Sequence, residues 1–203
     1  TTHAVYGEGM AVLAGDALLN LAFETASSAF SRTENEEELR RAARAMQILS
    51  AKSGIGGMVG GQCADTQAEE FPPEKVTQEL LLYIHENKTA AMIQSPMMIG
   101  ALLAGADEEK LEALERIGSK IGLAFQIRDD ILDLTSSLQE LGKQTGSDLK
   151  NNKVTYVSLN GMEESEKEVR RLSEEALQEL KGLTENRNEF LECLVEDLIT
   201  RKK

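Results

Sequence analysis

Apolar residues recur every three to four positions along almost every segment of the chain, and few segments alternate between apolar and polar residues. The first spacing matches the turn of an α-helix, whereas a β-strand places side chains on opposite faces at every second residue. Just three prolines, Pro72, Pro73 and Pro96, interrupt the helical pattern. The pattern therefore predicts an all-α fold, in which helices bury their apolar faces against one another.

Breaks in this pattern divide the chain into successive helices. A capping-box pair, Thr33 and Glu36, predicts the start of the second helix, and Pro96 predicts a bend inside the fourth. Residues 136–155 turn to Ser, Gly, Asn and Lys, which is typical of a loop. The sequence predicts helices at about residues 7–30, 33–54, 54–69, 77–106 and 107–134, followed after Glu163 by two charged amphipathic helices.

The first predicted helix is apolar enough, over residues 10–30, to raise the question of a membrane span. Asp16, Asn20 and Glu24, however, recur every four residues and so share one face of the helix. A membrane span needs about 20 predominantly apolar residues, and this polar stripe interrupts them. The pattern predicts a helix in the core of a soluble domain, with one polar side and no membrane span.

The composition fits a single domain of residues 1–203. With 41% hydrophobic residues among 203, the chain can bury a substantial core. Its formal net charge of −13 argues against nucleic acid or an anionic membrane as a partner, because like charges repel. The two cysteines, Cys63 and Cys193, lie in no metal-binding or redox spacing, which predicts reduced, buried thiols in a cytoplasmic protein.

Three aspartates stand among apolar residues in the segment FQIRDDILDL, residues 125–134. On a helix that turns about 100° per residue, one arc of roughly 100° collects the side chains of Gln126, Asp129, Asp130 and Asp133. Apolar residues occupy most of the remaining surface, so this helix is predicted to be buried. Since buried, unpaired carboxylates are very costly, the acidic strip is expected to face an internal cavity that holds water, cations or a ligand.

Two interpretations of the acidic strip remain open from the pattern alone. In the first, the carboxylates bind a divalent cation; magnesium in particular binds through a few carboxylates together with substrate phosphate oxygens. In the second, lysines or arginines of another helix neutralise the strip. Under the first interpretation, an anionic ligand would reach this acidic chain through bound cations.

Lysines are further candidates for the same cavity. Lys88 precedes Thr89 at the start of a strongly apolar segment, so its ammonium group suits an anion with an apolar tail. Lys143 and Lys153 lie in the predicted loop that follows the acidic helix. The ordinary alternative for each lysine is a solvated surface charge.

The glycine-rich run SGIGGMVGGQ, residues 53–62, does not match a phosphate-binding loop. It lacks the Gly-Lys-Ser/Thr ending of a P-loop and the spacing of the dinucleotide-binding fingerprint. On a helix, glycines four residues apart form a smooth face that permits close approach of another backbone. Gln62 and Asp65, three residues apart on one face just after these glycines, are weak candidates for the cavity wall.

Taken together, these motifs resemble those of the trans-isoprenyl diphosphate synthases, most nearly bacterial enzymes of the farnesyl diphosphate synthase type. FQIRDDILD resembles the second aspartate-rich motif of the family, and LGKQTGSDLKNNKVTY resembles the lysine-bearing segment after it. HENKTAAMI is similar to the Lys-Thr segment, GGQCAD to the Gln-x-x-Asp helix, and HAVYGEGMAVLAGDALLNLAFE to the helix after the first aspartate-rich motif. The five segments follow the family's order over nearly the whole chain.

This resemblance implies a homodimer whose subunit is a bundle of mostly antiparallel helices around a deep central cavity. It also implies a head-to-tail condensation of isopentenyl diphosphate with an allylic diphosphate. Three magnesium ions held between two aspartate-rich motifs would act as Lewis acids on the diphosphate leaving group. Among products, the resemblance favours farnesyl diphosphate over geranylgeranyl or geranyl diphosphate.

The resemblance implies a role for each candidate residue. The metal of the second site would be held by Asp129, Asp130 and Asp133. The allylic diphosphate would be contacted by Lys88, Lys143 and Lys153. The reacting carbons would lie beside Thr89 and Gln126, whose dipoles suit a developing positive charge. The cavity wall would be supported by Gln62 and Asp65.

The chain departs from the family's pattern on its N-terminal side. It contains no first aspartate-rich motif, no arginine pair after that motif and no Gly-Lys-Arg segment before it. We therefore expect that an N-terminal portion is missing and that these 203 residues alone are inactive. Two other classes remain as alternatives: a non-catalytic subunit of a heteromeric prenyl synthase, and a terpene cyclase. The intact second motif argues against the first alternative, and the Lys-Thr segment and later lysines argue against the second.

Overall fold

The computed structural model describes residues 1–135, 153–183 and 189–200, except for the side chains of residues 198–200. Within these ranges every regular element is helical, which confirms the predicted all-α fold. The α-helices are α1 (Thr2–Tyr6), α2 (Glu8–Ser28), α3 (Glu36–Ser53), α4 (Met58–Ala68), α5 (Gln78–Ile84), α6 (Ala91–Leu103), α7 (Glu108–Thr135), α8 (Tyr156–Asn160), α9 (Met162–Leu183) and α10 (Glu189–Thr200). Short 3₁₀ turns cover Ala29–Arg32 and Pro73–Lys75, and a π-helical turn covers His85–Ala90.

Helix α7 is the centre of the fold and packs chiefly against α9 and α6. Its apolar stripe is almost completely buried along most of its length, at Leu111, Ile117, Ile121, Ile127 and Ile131. Lys120 of α7 adds ion pairs to α9, at 2.9 Å from Glu175 and 2.5 Å from Glu179. The acidic segment is the C-terminal third of this helix, which the buried apolar stripe anchors in the core.

Glycines on α7 permit unusually close packing against the neighbouring chain. A Cβ atom on Gly122 would lie 2.4 Å from the Cα atom of Ala90, and one on Gly118 would lie 2.8 Å from the Cγ atom of Gln94. A side chain at Gly122 would collide with the π-helical turn that joins α5 to α6, and one at Gly118 would collide with the start of α6. The glycine face therefore brings that segment directly against the acidic helix.

The predicted cap of α3 is wrong by two residues. Asn35, rather than Thr33, is the N-cap, and its side-chain oxygen accepts from the backbone N–H of Glu38 at 2.9 Å. The Glu38 carboxylate in turn accepts from the backbone N–H of Glu34 at 2.8 Å. Asn35 and Glu38 have the same spacing as Thr33 and Glu36, and Asn is at least as good an N-cap as Thr.

The long helix predicted at residues 77–106 is interrupted, but by a different feature from the one expected. Pro96 lies inside α6, which continues as an α-helix on both sides of it. The break in α-helical geometry is the π-helical turn His85–Ala90, which inserts a wider turn between α5 and α6. This turn contains the candidate residues Lys88 and Thr89.

Helix α2 differs from the core helix that its sequence predicts. It has no buried residue in this chain, and its large apolar side chains, including Met10, Val12, Leu13 and Leu18, are mostly exposed. No helix in the described part of the chain is long and apolar enough to span a membrane. Cys63 and Cys193 are free, but both are exposed, so the prediction of buried thiols is wrong.

Candidate active site

A polar cavity of about 280 Å³ lies where the π-helical turn, α4, α7 and the segment before α8 meet. Five of the residues selected from the sequence line it directly: Asp65, Lys88, Thr89, Gln126 and Lys153. Two aspartates of the acidic strip, Asp129 and Asp130, also line it. The structure thus gathers, around one cavity, residues from four separate segments of the chain.

Asp65 joins two of these segments through one buried carboxylate. The side chain, 4% exposed, accepts from the Lys88 ammonium group through Oδ2 and lies 3.0 Å from Lys153 Nζ through Oδ1. Gly61, one helical turn earlier, lets α4 approach the π turn, because a Cβ there would lie 2.2 Å from the backbone nitrogen of Lys88. The glycine therefore allows Asp65 to reach Lys88.

The charge state of Asp65 follows from these contacts. Burial by itself would raise the pKa of its carboxyl group, but the hydrogen bonds and positive charges of Lys88 and Lys153 together hold the pKa below its usual range. The carboxylate is therefore ionised at neutral pH. It balances one of two adjacent ammonium groups and leaves this wall of the cavity suited to an anion.

His85 is a further lining residue, which the sequence analysis missed. It is buried, and burial lowers the pKa of its imidazole to about 4, so the ring is neutral at pH 7. Its Nδ1 atom is buried and has no hydrogen-bond partner among the described residues. The available signal was its place three residues before Lys88, directly after the apolar run LLLYI.

The acidic strip of α7 divides into two parts. Gln126, Asp129 and Asp130 line the cavity, whereas Asp133, 6% exposed, is buried and is not part of the cavity lining. One oxygen of Asp130 accepts from the backbone N–H of Tyr156 at 2.8 Å. Thr155 starts α8 with a capping box and so presents this N–H toward α7.

These carboxylates suit magnesium only in combination with a ligand. In the described part of the chain, no three His, Cys, Asp or Glu side chains are arranged to hold a metal ion. Asp129, Asp130 and Asp133 therefore do not form a closed three-carboxylate site by themselves. Magnesium commonly binds through one or two carboxylates plus phosphate oxygens and water, and Asp129 and Asp130 on the cavity wall fit that requirement.

The model of the polyprenyl synthetase family matches residues 1–194 of the chain. The chain belongs to the polyprenyl synthetase family. This confirms the resemblance read from the five motifs, and the solved structures described next confirm the isoprenoid synthase type of helical bundle.

A curated relative, a putative geranylgeranyl pyrophosphate synthase of Arabidopsis thaliana, is 44% identical over 182 residues, which cover 90% of this chain and 50% of the relative. The large subunit 2 of a heterodimeric geranylgeranyl pyrophosphate synthase from the same plant is 39% identical over 203 residues, 100% of this chain and 52% of that protein. The crystal structure of a geranyltransferase from Helicobacter pylori, complexed with magnesium and isoprenyl diphosphate, matches with a TM-score of 0.79 and 36% identity. The match covers 98% of this chain and 62% of that one. The chain thus spans about half the length of the curated relatives it matches.

Gln62, another residue predicted for this polyprenyl synthetase site, is like Asp133 not part of the cavity lining. Gln62 is exposed, and its amide group donates to the hydroxyl group of Thr66 at 3.2 Å. Although it lies three residues from Asp65, an offset of about 60° around α4 separates an exposed position from a buried one. Lys143 lies outside the described residues, so its assignment stays a prediction.

Proposed function

We propose that the protein containing this chain is a short-chain isoprenyl diphosphate synthase that condenses isopentenyl diphosphate with an allylic diphosphate. The supporting observation is a single cavity that carries two lysines on one wall and two aspartates on another. Lys88 and Lys153 lie on different segments of the chain, and both contact the carboxylate of Asp65. This arrangement suits an anion that is bound both by ammonium groups and through metal ions.

In this proposal, Lys88 and Lys153 bind the oxygens of the allylic diphosphate. Ammonium groups are compact charges that suit phosphate, and a fixed geometry reduces the cost of ordering them. As the allylic carbon–oxygen bond breaks, its electron pair leaves with the diphosphate, and the two lysines stabilise the charge that develops there. Asp65 keeps both ammonium groups in place before the substrate enters.

Asp129 and Asp130 would hold magnesium in this site, and the resemblance adds Asp133 as a third residue of the set. When bound, magnesium would act as a Lewis acid on the leaving diphosphate. The relative from Helicobacter pylori was crystallised with magnesium and isoprenyl diphosphate, which supports the same assignment here. Three ions in the intact protein remain our expectation from the resemblance.

Thr89 and Gln126 line the cavity beside the lysines and are proposed to face the reacting carbons. Their side-chain oxygens can stabilise the positive charge left on the allylic fragment. The double bond of isopentenyl diphosphate then attacks that carbon, and loss of a proton completes the product. We propose that the released diphosphate accepts this proton.

Farnesyl diphosphate is the product we propose, supported by 36% identity to a geranyltransferase. Geranylgeranyl diphosphate is the second candidate, favoured by 44% identity to a plant protein named for that product. We also propose a homodimer in the cytoplasm. The similarity to the large subunit of a heterodimeric synthase favours assembly with a different subunit as the second candidate.

The decisive experiment incubates the full-length protein with isopentenyl diphosphate and each of dimethylallyl, geranyl and farnesyl diphosphate. We expect elongated products with magnesium and none with EDTA, and product chromatography gives the chain length. The 203-residue chain assayed alone is expected to be inactive. Absence of any elongated product with the full-length protein would exclude the proposed function, and cyclised products would favour a terpene cyclase.

A further inference from the structure

The π-helical turn His85–Ala90 requires an explanation, because it carries Lys88 and Thr89 into the cavity. A π turn contains one residue more than an α turn, is rare, and is frequently found at functional sites. Its local sequence, HENKTA, contains neither glycine nor proline that would favour the wider turn. Contacts with the rest of the protein must therefore select it.

Packing against two helices accounts for part of this selection. On one side, Gly61 of α4 leaves room for the backbone of Lys88, since a Cβ atom there would lie 2.2 Å from its nitrogen. On the other side, Gly122 of α7 leaves room for Ala90, because a Cβ atom on Gly122 would lie 2.4 Å from the Cα atom of Ala90. These contacts confine the turn between α4 and α7. A glycine has no side chain, however, so its contacts do not determine the register of the turn, that is, which residue of the turn lies at which position.

A chain of hydrogen bonds, which we call the Glu86 bridge, determines this register. The Glu86 carboxylate accepts from Gln94 Nε2 at 2.7 Å and from Ser119 Oγ at 2.5 Å. Gln94, 2% exposed, accepts in turn from Lys52 Nζ through Oε1 at 2.5 Å. Lys52 also bonds to Glu115 Oε1 at 2.5 Å, so the bridge connects α3, α6, α7 and the π turn.

Hydrogen-bond donation in the Glu86 bridge runs from Lys52 through Gln94 to Glu86. The Lys52 ammonium group can only donate, which fixes the amide of Gln94 with its oxygen toward Lys52 and its NH₂ group toward Glu86. Position 86 must therefore accept from Gln94, and the second oxygen of the Glu86 carboxylate accepts from Ser119 Oγ. Because Glu86 lies two residues before Lys88, anchoring its side chain to α6 and α7 fixes the register of the turn.

We propose that Glu86 is a positioning residue, which fixes the π turn through Gln94 and Ser119 and thereby directs Lys88 and Thr89 into the cavity. The proposal deepens the proposed function, on which it depends for the identity of the ligand as an allylic diphosphate. Glu86 itself is not part of the cavity lining, so its effect reaches the substrate through the backbone of the turn.

The first variant is Glu86→Gln in the full-length protein. The new amide can offer its oxygen to Gln94 only if its NH₂ group faces Ser119 Oγ, which must then accept instead of donate; in the opposite orientation its NH₂ group faces that of Gln94. Either orientation loses the charge of the carboxylate from the bridge. We expect the KM for the allylic diphosphate to rise about tenfold, on the scale of one charged hydrogen bond, while the KM for isopentenyl diphosphate stays within about twofold. The exposed Glu112 of α7 supplies the matched control, Glu112→Gln, which should leave both KM values unchanged.

A second change tests the bridge itself. Gln94→Glu, added to Glu86→Gln, exchanges the amide and the carboxylate, so that the new carboxylate at position 94 accepts from Lys52 and from the new amide at position 86. Only the hydrogen bond between positions 86 and 94 reverses its direction; Lys52 still donates to position 94, and Ser119 can still donate to the amide oxygen at position 86. We expect the KM for the allylic diphosphate to return to within about twofold of the original value. A residue that merely contributes stability would not be rescued in this reciprocal way.

Hydrogen exchange of the peptide covering residues 85–90 provides a readout that does not require activity. Glu86→Gln should speed its exchange, relative to a peptide of α9, and the double variant should restore the original rate. Unchanged exchange and unchanged KM in Glu86→Gln, or no recovery in the double variant, would overturn the proposal. If the unaltered protein makes no product, the proposed function fails and the exchange result alone decides on Glu86. If Glu86→Gln does not fold, Ser119→Ala must produce a smaller shift in the same direction, and no shift would overturn the proposal.

Discussion

Asp65 and Lys153 lie 3.0 Å apart, Oδ1 to Nζ, across the wall of the cavity, and the other oxygen of the same carboxylate accepts from Lys88. A buried carboxylate between two ammonium groups keeps both groups in a defined position. Without it, the two positive charges would repel each other and the freed groups would move toward solvent. Asp65 is therefore the link between the π turn and the segment that precedes α8.

Replacing Asp65 with Asn should lower the stability of the protein and its affinity for the allylic diphosphate. The amide retains the shape of the side chain but removes the negative charge of Asp65 from beside two partly buried ammonium groups. We expect the free energy of unfolding to fall by about 2 kcal/mol, less than for a fully buried pair because both lysines are partly exposed. Urea unfolding measures this change.

Glu69→Gln is the matched control for Asp65→Asn. Glu69 Oε1 lies 4.0 Å from the same Lys153 Nζ, but the carboxylate is exposed, so its loss should cost less than about 0.5 kcal/mol. Equal effects of the two substitutions would show that burial of Asp65 has no special importance.

His85 should make the protein less stable in mild acid. Its pKa is about 4 in the folded chain against an ordinary value of 6.5, so the unfolded chain takes up a proton first as the pH falls. Stability is therefore unaffected above pH 6.5 and is lost between pH 6.5 and 4. Between pH 7 and 5 the expected loss from this group is about 2 kcal/mol.

His85→Phe tests this pH dependence, because phenylalanine has a similar size and does not titrate. In EDTA, the difference in unfolding free energy between pH 7 and 5 should be smaller by about 2 kcal/mol in this variant. The charged groups that act on His85, Asp65, Lys88 and Lys153, remain present, and the depressed pKa of Asp65 places its own titration below this range. An identical pH dependence in both proteins would contradict a buried, neutral His85.

Asp129→Ala should reduce the turnover of the full-length enzyme by at least about 10²-fold, as is typical when one electrostatic stabiliser of a leaving group is removed. Asp129 lines the cavity, where it is proposed to hold magnesium. Steady-state kinetics with the allylic substrate at saturating magnesium measures the change. Asp197→Ala, an exposed position on α10, should leave turnover unaltered, and an unaltered Asp129→Ala enzyme would remove this residue from the mechanism.

Much of the fold could be predicted because helical periodicity is a local property of the sequence. Two faces of α7 have the surroundings that the pattern predicts. Ile127 and Ile131 lie in the core, and the cavity is lined by Gln126, Asp129 and Asp130. Two neighbouring pairs, Thr33–Glu36 and Asn35–Glu38, satisfied the same capping rule, so the start of α3 could not be decided locally. The spacing of apolar residues also shows that a helix such as α2 is apolar, but it does not show whether the rest of this chain packs against that helix.

The details of the site depended on contacts between distant segments. Nothing in HENKTA indicates a π turn, which depends on glycines of α4 and α7 and on the anchoring of Glu86. The burial of His85 follows from that turn, which explains why it was missed. Asp65 was a weak candidate in sequence because its two lysine partners are brought to it only by the tertiary fold.

Gly122→Ala should destabilise the protein although alanine is the better helix former. The added Cβ atom would lie 2.4 Å from both the Cα and Cβ atoms of Ala90, so α7 and the π turn must separate. Overpacking of this kind costs about 1–3 kcal/mol, which exceeds the gain of roughly 0.5–1 kcal/mol from replacing a helical glycine. Gly100 of α6 is the matched control, since a Cβ there meets no atom within 4 Å and Gly100→Ala should stabilise the protein.

Because the displaced turn carries Lys88, Gly122→Ala should also raise the KM for the allylic diphosphate, whereas Gly100→Ala should not. Thermal and urea unfolding, measured together with the kinetics, would refute the close packing of α7 against this turn if both substitutions stabilised the protein.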